Sequence, residues 1–280
     1  MSLEAVIEGV IEQAKQTNNI VDGDYLGDDN LYRCGKCHTP KQCQVHILGK
    51  DRIVPCLCKC AAEKMKEEEA TREREAFERK VQRIRAAGFP ESDMGSWTFA
   101  NDDMANPQIT QAMKKYVEHF DKYRREGKGL LLYGNVGSGK TYAACEVANA
   151  LIDQGIPCLV TNFARIANTV FGMHEGKQAY YDSFNKFPLL VVDDLAAERK
   201  TEYMGEIIYT VIDSRVRANL PIIVTTNLTS EELKNPADMT YKRIYSRLLG
   251  CCFPLEVKGK DRRLQQLRSG FADMAKELGV

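Results

Sequence analysis

The sequence predicts an α/β domain with a parallel sheet covered by helices on both faces, preceded by a small cysteine-rich module and a charged helix. From about residue 108 onwards, short apolar runs alternate with helical stretches, which is the pattern of a parallel sheet. Six of the ten cysteines, in contrast, fall between positions 34 and 60. The predicted domains are therefore residues 1–60, the linker helix 61–87 and the α/β domain 88–280.

Five apolar runs are the candidate strands of this sheet. They lie at residues 129–133, 157–161, 189–193, 221–225 and 252–257. Each has the length and the apolar character of a buried strand. A helix is predicted ahead of the first strand, from Gln108 to Arg125, and another helix follows it from Thr141 to Leu151. At 280 residues, the chain is long enough for one full α/β domain and a smaller module.

The segment between residues 61 and 87 is predicted to form a solvated linker helix. It is dense in charges of both signs and contains no proline or glycine. A thin apolar seam of Met65, Phe77, Val81 and Ile84 keeps open the alternative of a partner-binding or coiled-coil helix. Gly88-Phe89-Pro90 is expected to end the helix.

Composition excludes several classes of protein. Lysine plus arginine equals aspartate plus glutamate, 39 of each, so overall charge gives no argument for nucleic-acid binding and any such contact needs a local patch. No apolar run is long enough to span a membrane, and the N-terminus does not resemble a secretory signal. We therefore expect a cytoplasmic protein without membrane contact, in which clustered cysteines bind metal rather than form disulfides.

The most informative motif follows the first predicted strand. Residues 134–141 match the pattern G-x-x-x-x-G-K-[ST] at every fixed position. A strand, a glycine loop and a helix in this order wrap backbone N–H groups around a phosphate and point a helix N-terminus at it. Lys140 is predicted to contact the β- and γ-phosphates of ATP, and the Thr141 hydroxyl to hold Mg²⁺. The predicted cofactor-binding residues of the loop are Gly134, Asn135, Val136, Gly137, Ser138, Gly139, Lys140 and Thr141.

Polar residues end two of the later strands. The run that begins at Leu189 ends in Asp193 and Asp194, where a phosphate-loop ATPase carries its second metal-holding acid. Asp193 is predicted to hold Mg²⁺, and Asp194 to orient or deprotonate the attacking water. The run that begins at Pro221 ends in Asn227, which either positions that water or simply ends its strand in a turn.

The cysteine cluster predicts a structural zinc site. Cys34-x-x-Cys37 and Cys56-x-Cys58-x-Cys60 are two closely spaced groups separated by 18 residues, and zinc takes four thiolate or imidazole ligands in a tetrahedron. A module this small needs the metal for its stability. The favoured ligands are Cys34, Cys37, Cys56 and Cys58, with Cys60 as the main substitute and Cys43, His38 and His46 as weaker candidates. Unliganded thiols and an iron–sulfur cluster are the alternatives.

In their order along the chain, these motifs resemble the AAA+ ATPases of the DnaC/DnaI/IstB group, which are replicative helicase loaders and transposition helpers. The resemblance covers roughly residues 88–268. It rests on the phosphate loop, Val-Val-Asp-Asp-Leu-x-x-Glu ending at Glu198, Thr-Thr-Asn, Arg243-x-x-x-Arg247 and a basic run ending at Arg263. It implies a five-stranded AAA+ sheet, self-association through the ATPase domain, and ATP bound between subunits.

The resemblance also implies roles for single residues. Asn227 falls on the first sensor position, and Arg263, with Arg262 as the neighbouring candidate, falls on the second. Arg247 or Arg243 falls where such ATPases carry the arginine finger, and Arg247 fits better. The chain departs from many AAA+ ATPases at Asp194, where they have glutamate, so the predicted hydrolysis is slow.

The implied function is that of a Mg²⁺- and ATP-dependent loader that binds the hexameric replicative DNA helicase and single-stranded DNA. In loaders of the DnaI kind, a similar zinc module binds the helicase. Two alternatives stay open: an IstB-like transposition helper, which usually lacks a cysteine module, and a nucleotide-gated adaptor that hardly hydrolyses ATP.

The candidate DNA contacts lie between the phosphate loop and the acidic strand. Residues 163–186 interleave aromatic and basic side chains, a combination that can stack bases and hold phosphates of a single strand. The alternative is an amphipathic helix pair that buries its aromatic residues. Further candidates follow the acidic strand, namely Arg199, Lys200 and Tyr203.

Overall fold

The computed structural model describes residues 20–259 except positions 48, 90, 92 and 197–200, together with residues 261, 271, 274, 278 and 279. The chain divides into two compact units, Met1–Glu78 and Arg79–Val280. Among the described residues, no helix combines the length and the hydrophobicity that crossing a membrane requires.

The first unit contains two small antiparallel ribbons. Strand β1 (Tyr25–Leu26) pairs with β2 (Tyr32–Arg33), and β3 (Gln42–Ile47) pairs with β4 (Lys50–Pro55). The described part of this unit has almost no apolar core, because its buried residues are Cys34, Lys41 and Cys58. Hydrophobic burial alone therefore gives the described part of this unit little stability.

The predicted charged helix is present as α1 (Lys59–Gly88). Met65 and Phe77 of the apolar seam are largely exposed, whereas Val81 and Ile84 pack against the core of the second unit. The helix ends at Gly88, where a Cβ atom would lie only 2.6 Å from the carbonyl oxygen of Cys158. Only the C-terminal end of this apolar seam therefore packs against the core of the second unit.

The second unit has the predicted five-stranded parallel sheet. Its strands are β5 (Gly129–Tyr133), β6 (Cys158–Asn162), β7 (Leu189–Leu195), β8 (Ile222–Thr226) and β9 (Cys252–Glu256). Their order is β6-β7-β8-β5-β9, with every neighbouring pair parallel. Each of the five strands lies within two residues of its predicted position at either end. This order brings the carboxyl ends of β5, β7 and β8 together at one edge of the sheet.

Helices cover both faces, and each face buries its own hydrophobic core. On one face lie α2 (Pro107–Glu118), α3 (Phe120–Glu126) and α4 (Lys140–Asp153); the other face is covered by α5 (Phe163–Phe171), α6 (Lys177–Ser183), α7 (Glu202–Arg217) and α9 (Met239–Cys251). The short helix α8 (Ser230–Lys234) precedes α9. Leu131 points to the second core and its neighbours Leu130 and Leu132 to the first, as the two-residue period of a strand requires.

The single helix predicted from Gln108 to Arg125 is wrong in one respect, because the chain turns at His119 and forms two helices. His119 has φ −104° and ψ 16°. The turn buries Phe120 and places Tyr116 and Tyr123 in a stack with ring centroids 5.1 Å apart. No proline or glycine lies at this point, so tertiary packing ends α2 rather than a local sequence signal.

A buried arginine joins the two loops that lead into β7 and β8. Arg215 of α7 is fully buried, and its guanidinium donates hydrogen bonds to the carbonyl oxygens of Phe187 at 2.8 Å and Pro221 at 2.5 Å, among others. Burial lowers the pKa of Arg215 to about 10. The amino ends of these two strands are therefore fixed to each other, which also fixes the positions of their carboxyl ends.

Candidate functional site

The glycine loop leaves β5 and leads directly into α4. Gly134 has φ 140°, and a Cβ atom there would lie 2.5 Å from the carbonyl oxygen of Val257, so a side chain cannot be accommodated. Gly139, with φ 94°, immediately precedes Lys140, the first residue of the helix. The first N–H groups of α4 consequently face the loop, as a phosphate site requires.

Lys140 lies across the loop and reaches the neighbouring strand. It is 5 % exposed. Its Nζ donates to the carbonyl oxygens of Gly134 at 3.0 Å and Asn135 at 2.7 Å, and to Oδ1 of Asn227 at 2.7 Å. A single ammonium group thus connects the phosphate loop to the end of β8.

The two acidic residues lie on a β-bulge at the end of β7. Val192 pairs with Val224 and Leu195 with Thr226, so β7 holds one residue more than β8 between the two pairs. Within this bulge, Asp194 adopts φ 56°. This is a left-handed conformation that aspartate tolerates better than most residues. The bulge turns Asp194 to the surface while Asp193 stays half-buried.

Asp193 lies beside the start of the phosphate-loop helix. Burial raises the pKa of its carboxyl group, and hydrogen bonds with the hydroxyls of Thr225 and Thr141 act in the opposite direction. The Thr141 hydroxyl and the Asp193 carboxylate, the two predicted Mg²⁺ ligands, are therefore neighbours. Oxygen ligands in this arrangement fit Mg²⁺, which is bound through few protein groups together with phosphate oxygens.

Asn227 follows β8, and its side chain lies beside those of Lys140 and Asp194. Besides accepting the bond from Lys140, its Nδ2 lies 3.5 Å from Oδ1 of Asp194. The structure thus brings together the side chains of Lys140, Thr141, Asp193, Asp194 and Asn227. Their chemical roles stay predictions.

A cavity of about 430 Å³ opens beside these residues. One wall is formed by the loop and α4, and the other by the segment before α2, which contributes Trp97, Asn101 and Asp103. Trp97 stacks on Tyr142 with ring centroids 5.7 Å apart. Sequence reasoning missed these four residues because they belong to no motif. The flat apolar surface of the stack suits a purine base.

The two candidates for the arginine finger lie elsewhere in the second unit. Arg243 and Arg247 are on α9 and do not belong to the described residues that line the cavity. Arg243 is exposed. Nε of Arg247 donates to Oδ1 of Asp213 at 2.8 Å, and its guanidinium lies 4.5 Å from the ring centroid of Tyr209. Arg262 and Arg263 lie outside the described residues.

In the first unit, four thiols converge. The Sγ atoms of Cys34, Cys37, Cys58 and Cys60 all lie within 4.8 Å of one another. The sulfur atoms of Cys34 and Cys60 are 3.6 Å apart, and those of Cys58 and Cys60 are 3.5 Å apart. Four sulfurs bound to zinc at about 2.3 Å would be about 3.8 Å from one another. The residues therefore fit a tetrahedral zinc site.

The preference for Cys56 over Cys60 differs from the structure, which places Cys60 in the cluster. Cys56 follows β4, and its thiol faces the carbonyl oxygen of Pro40 at 3.6 Å. Cys58 immediately precedes α1 and Cys60 is the second residue of that helix, and the turn at this point places both thiols beside those of Cys34 and Cys37. The C-x-C-x-C spacing does not reveal where the helix begins, so it could not decide between the two.

The surroundings of the cluster favour the charged form of some thiols. Hydrogen bonds, first among them the one with the Thr39 hydroxyl, lower the pKa of Cys37 to about 5. Hydrogen bonding with Cys58, Cys34 and Cys37 raises the pKa of Cys60 to about 12. The buried ammonium group of Lys41, paired with Asp24 at 2.5 Å, adds positive charge near the cluster. The lowered pKa of Cys37 favours the thiolate form that zinc binds, whereas Cys60 would lose its proton on binding the metal.

The aromatic and basic segment separates into buried and exposed residues. Phe163, Tyr181 and Phe184 are buried in the core, so the amphipathic alternative holds for them. Phe171, at the end of α5, is 82 % exposed. In the same stretch of sequence the basic side chains Arg165, His174 and Lys177 are also exposed, and so is Tyr203 at the start of α7. Arg199 and Lys200 lie outside the described residues.

The fold and the site together define a nucleotide-binding α/β ATPase fold of the AAA+ type, as the sequence predicts. The glycine loop follows β5, Asn227 follows the neighbouring central strand β8, and the acidic pair lies at the end of β7, the strand beyond it. The chain belongs to the family of IstB-like ATP binding proteins, whose sequence model matches residues 60–270.

Two proteins of similar sequence have different descriptions. The replicative helicase loader DnaI of Bacillus subtilis (strain 168) is 27 % identical over 202 residues, which cover 66 % of this chain and 64 % of that protein. A putative ATP-binding protein in an insertion sequence of Mycobacterium tuberculosis (strain ATCC 25618 / H37Rv) is 27 % identical over 164 residues, covering 58 % and 62 %. The chain thus matches less than two thirds of the length of either relative.

A crystal structure of DnaI has the same fold. It superposes with a TM-score of 0.53 at 23 % sequence identity, covering 64 % of this chain and 99 % of that chain. This likeness supports the architecture of the second unit, and the sequence relatives support the family.

Proposed function

We propose that this protein is an ATP-hydrolysing helicase loader of the DnaC/DnaI kind. The observation that carries the proposal is the convergence of Lys140, Thr141, Asp193, Asp194 and Asn227 at the carboxyl edge of the sheet, beside a cavity wide enough for a nucleotide. Membership in an ATP-binding family supports the same ligand.

Each of these residues has a distinct task in the proposed reaction. Lys140 exchanges its present carbonyl partners for the β- and γ-phosphates. Thr141 and Asp193 would hold Mg²⁺, which neutralises charge on the phosphate oxygens when bound. Asp194, exposed on its bulge, accepts a proton from or orients the attacking water, and Asn227 fixes that water from the other side.

Arg247 is proposed to act on the nucleotide of a neighbouring subunit. Its bond to Asp213 uses Nε, so the two terminal nitrogens are not engaged by that carboxylate. An arginine supplied by a neighbour stabilises the charge of the transferred phosphoryl group. Arg243, one turn earlier and exposed, is the second candidate for the same role, and Arg263 remains the proposed second sensor.

The first unit is proposed to bind the helicase, and the corner around Phe171 to bind single-stranded DNA. Phe171 is an exposed aromatic ring in a segment that also carries exposed basic residues, and such residues can stack an unpaired base and hold its phosphates. The four-thiol cluster would hold Zn²⁺ and thereby keep the first unit folded.

A pull-down assay with the purified hexameric replicative helicase of the same organism tests the proposal. We expect the wild-type chain to retain the helicase with ATP present, and Cys58→Ser to lose it. Phe171→Ala should weaken binding to single-stranded oligonucleotides by about 1–3 kcal/mol without affecting helicase retention. A wild-type chain that retains no helicase would contradict the loader function.

A second candidate function is supported by the relative from an insertion sequence. A transposition helper would bind ATP and DNA through the same second unit. Retention of a transposase instead of the helicase in the same experiment would favour it. An adaptor that hardly hydrolyses ATP is distinguished by turnover measured with helicase and single-stranded DNA.

Mixing two inactive variants tests the shared site. Arg247→Ala lacks the proposed finger and Lys140→Ala lacks the phosphate contact, so mixed assemblies rebuild some complete sites. We expect activity to reappear on mixing. An arginine supplied by a neighbouring subunit typically raises the rate by about 10³–10⁵. Unchanged turnover by Arg247→Ala alone would therefore move the role to Arg243. If Arg243→Ala also left the turnover unchanged, a site shared between subunits would be excluded.

A further inference from the structure

We infer that Thr225 is a positioning residue that holds the acidic pair of the nucleotide site in its working geometry. The inference rests on the proposed ATPase function and assigns to that site a residue that does not itself touch the nucleotide. Thr225 lies on β8, two residues before Asn227, and is fully buried.

The Thr225 hydroxyl makes two hydrogen bonds, one to each acidic residue. It donates to Oδ1 of Asp193 at 2.6 Å, and it accepts from the backbone N–H of Asp194 at 2.9 Å. One hydroxyl thus fixes the side chain of the first acid and the backbone of the second. A hydroxyl can donate one bond and accept another at the same time, whereas a side chain without an oxygen can do neither.

The second bond compensates for the bulge in β7. At that point the register with β8 shifts, and Asp194 adopts φ 56°. Its N–H cannot join the regular ladder, and the Thr225 oxygen accepts it instead. Thr226 also stabilises the end of the bulge, because its hydroxyl donates a hydrogen bond to the carbonyl oxygen of Leu195 at 2.7 Å.

This arrangement couples the end of β8 to the acids. Asn227 contacts both Lys140 and Asp194, and Thr225 on the same strand contacts Asp193 and Asp194. A shift of β8 on nucleotide binding would therefore move the proposed metal ligand and the proposed water-orienting group together. Residues that orient metal ligands from behind typically contribute about 10- to 100-fold in metal affinity or activity.

A merely structural role for Thr225 makes a different prediction from a positioning role. If the hydroxyl only stabilised the sheet, its loss would lower stability and leave the Mg²⁺ dependence unchanged. If it positions Asp193, its loss should raise the Mg²⁺ concentration needed for tight nucleotide binding and lower hydrolysis, with little change in nucleotide affinity at saturating Mg²⁺.

Thr225→Ser and Thr225→Ala are the matched variants, because both lack the methyl group and only serine keeps the hydroxyl. Thr161→Val is the control: it removes the hydroxyl of another buried threonine, on β6, where residue 161 pairs with Val192. Equilibrium dialysis of labelled ATP over a Mg²⁺ series gives the binding readout, phosphate release gives the turnover, and circular dichroism verifies folding.

We expect Thr225→Ala to lower turnover and to shift the Mg²⁺ midpoint upwards, each by about 10- to 100-fold, with Thr225→Ser and Thr161→Val close to wild type. Asp193→Asn serves as the reference. If Asp193→Asn shifts the Mg²⁺ midpoint and Thr225→Ala does not, the inference is overturned while the proposed site stands. If neither shifts it, the proposed magnesium site itself fails.

Discussion

The cysteine cluster and the nucleotide cavity are built on opposite physical principles. The cluster lies in a unit whose described residues include only three buried ones, two of them cysteines of the cluster itself. The nucleotide site lies at the edge of a sheet that is buried on both faces by two hydrophobic cores. In the first unit, metal binding by the cysteine side chains would stabilise the backbone fold. In the second unit, the backbone fold is stable through its cores and positions the polar side chains of the site.

This difference predicts which substitutions remove a fold and which remove only a function. A structural metal contributes folding free energy outright, so loss of one ligand should unfold the first unit. The second unit derives its stability from the sheet and its helices, so loss of one polar residue at its edge should change ligand binding first.

The largest expected effect is that of removing a cluster cysteine. Cys58→Ser should release bound zinc and unfold the first unit, while residues 88–268 still bind ATP. Cys56→Ser is the matched control, because Cys56 is two residues away and outside the four-thiol group. Elemental analysis of the purified variants should give about one zinc per chain for the wild type and Cys56→Ser. Zinc loss in both variants, or in neither, would contradict the assignment of the ligands.

The next effect is that of Lys140→Ala on nucleotide binding. Hydrogen bonds to charged groups contribute about 1.5–3 kcal/mol, so ATP affinity should fall by about 10- to 150-fold. The variant should keep its fold and its zinc. The exposed Lys186 offers a control, and Lys186→Ala should bind ATP like the wild type in equilibrium dialysis. Normal binding and hydrolysis by Lys140→Ala would refute the phosphate-loop assignment.

Asp193→Asn should have a smaller and pH-dependent effect on stability. Burial raises the pKa of Asp193 in the folded state above its unfolded value, so its contribution to stability is fully present below the unfolded pKa and is lost as the pH rises through the folded pKa. Asparagine cannot ionise. Without nucleotide and Mg²⁺, the variant should therefore gain stability relative to wild type as the pH rises from about 4 to 7.

Urea unfolding followed by circular dichroism at both pH values measures this difference. The exposed Asp182 provides the control substitution, Asp182→Asn, which removes a carboxyl group that is not buried. An Asp193→Asn variant that is equally destabilised at both pH values would show that lost hydrogen bonds, rather than a buried charge, dominate at this position.

The smallest effect concerns the backbone of Asp194. Its left-handed conformation suits aspartate, asparagine or glycine. Asp194→Glu should therefore lower the free energy of unfolding by about 1 kcal/mol, and Asp194→Asn should leave it nearly unchanged. Thermal unfolding compares the two variants. Equal stability would mean that the bulge relaxes without cost, and the conformation would then not explain the aspartate.

The strands and the phosphate loop could be predicted because their signals are local. Each strand is a continuous apolar run, and the loop is a fixed pattern of residues whose flanking strand and helix are also visible in the sequence. Asp193 and Asn227 could be assigned to one site because both come at the carboxyl ends of predicted strands, where open α/β sheets bind their ligands.

Other features depend on long-range packing and have no local signal. Arg215 is a basic residue on an amphipathic helix, a pattern typical of an exposed side chain, yet it is buried among carbonyl oxygens from two distant loops. The break at His119 and the choice of Cys60 over Cys56 likewise depend on where neighbouring elements lie. Trp97 lines the cavity because of the way the segment before α2 folds, and no sequence motif indicates that fold.

Trp97 gives this protein a spectroscopic reporter of its own. It is the single tryptophan of the chain, it is half-buried, and it stacks on Tyr142 at the wall of the nucleotide cavity. A base that enters beside the stack would change the polarity and the quenching around the indole ring. Intrinsic emission should therefore follow nucleotide binding without a label, and stopped-flow mixing should resolve the rate at which the site fills.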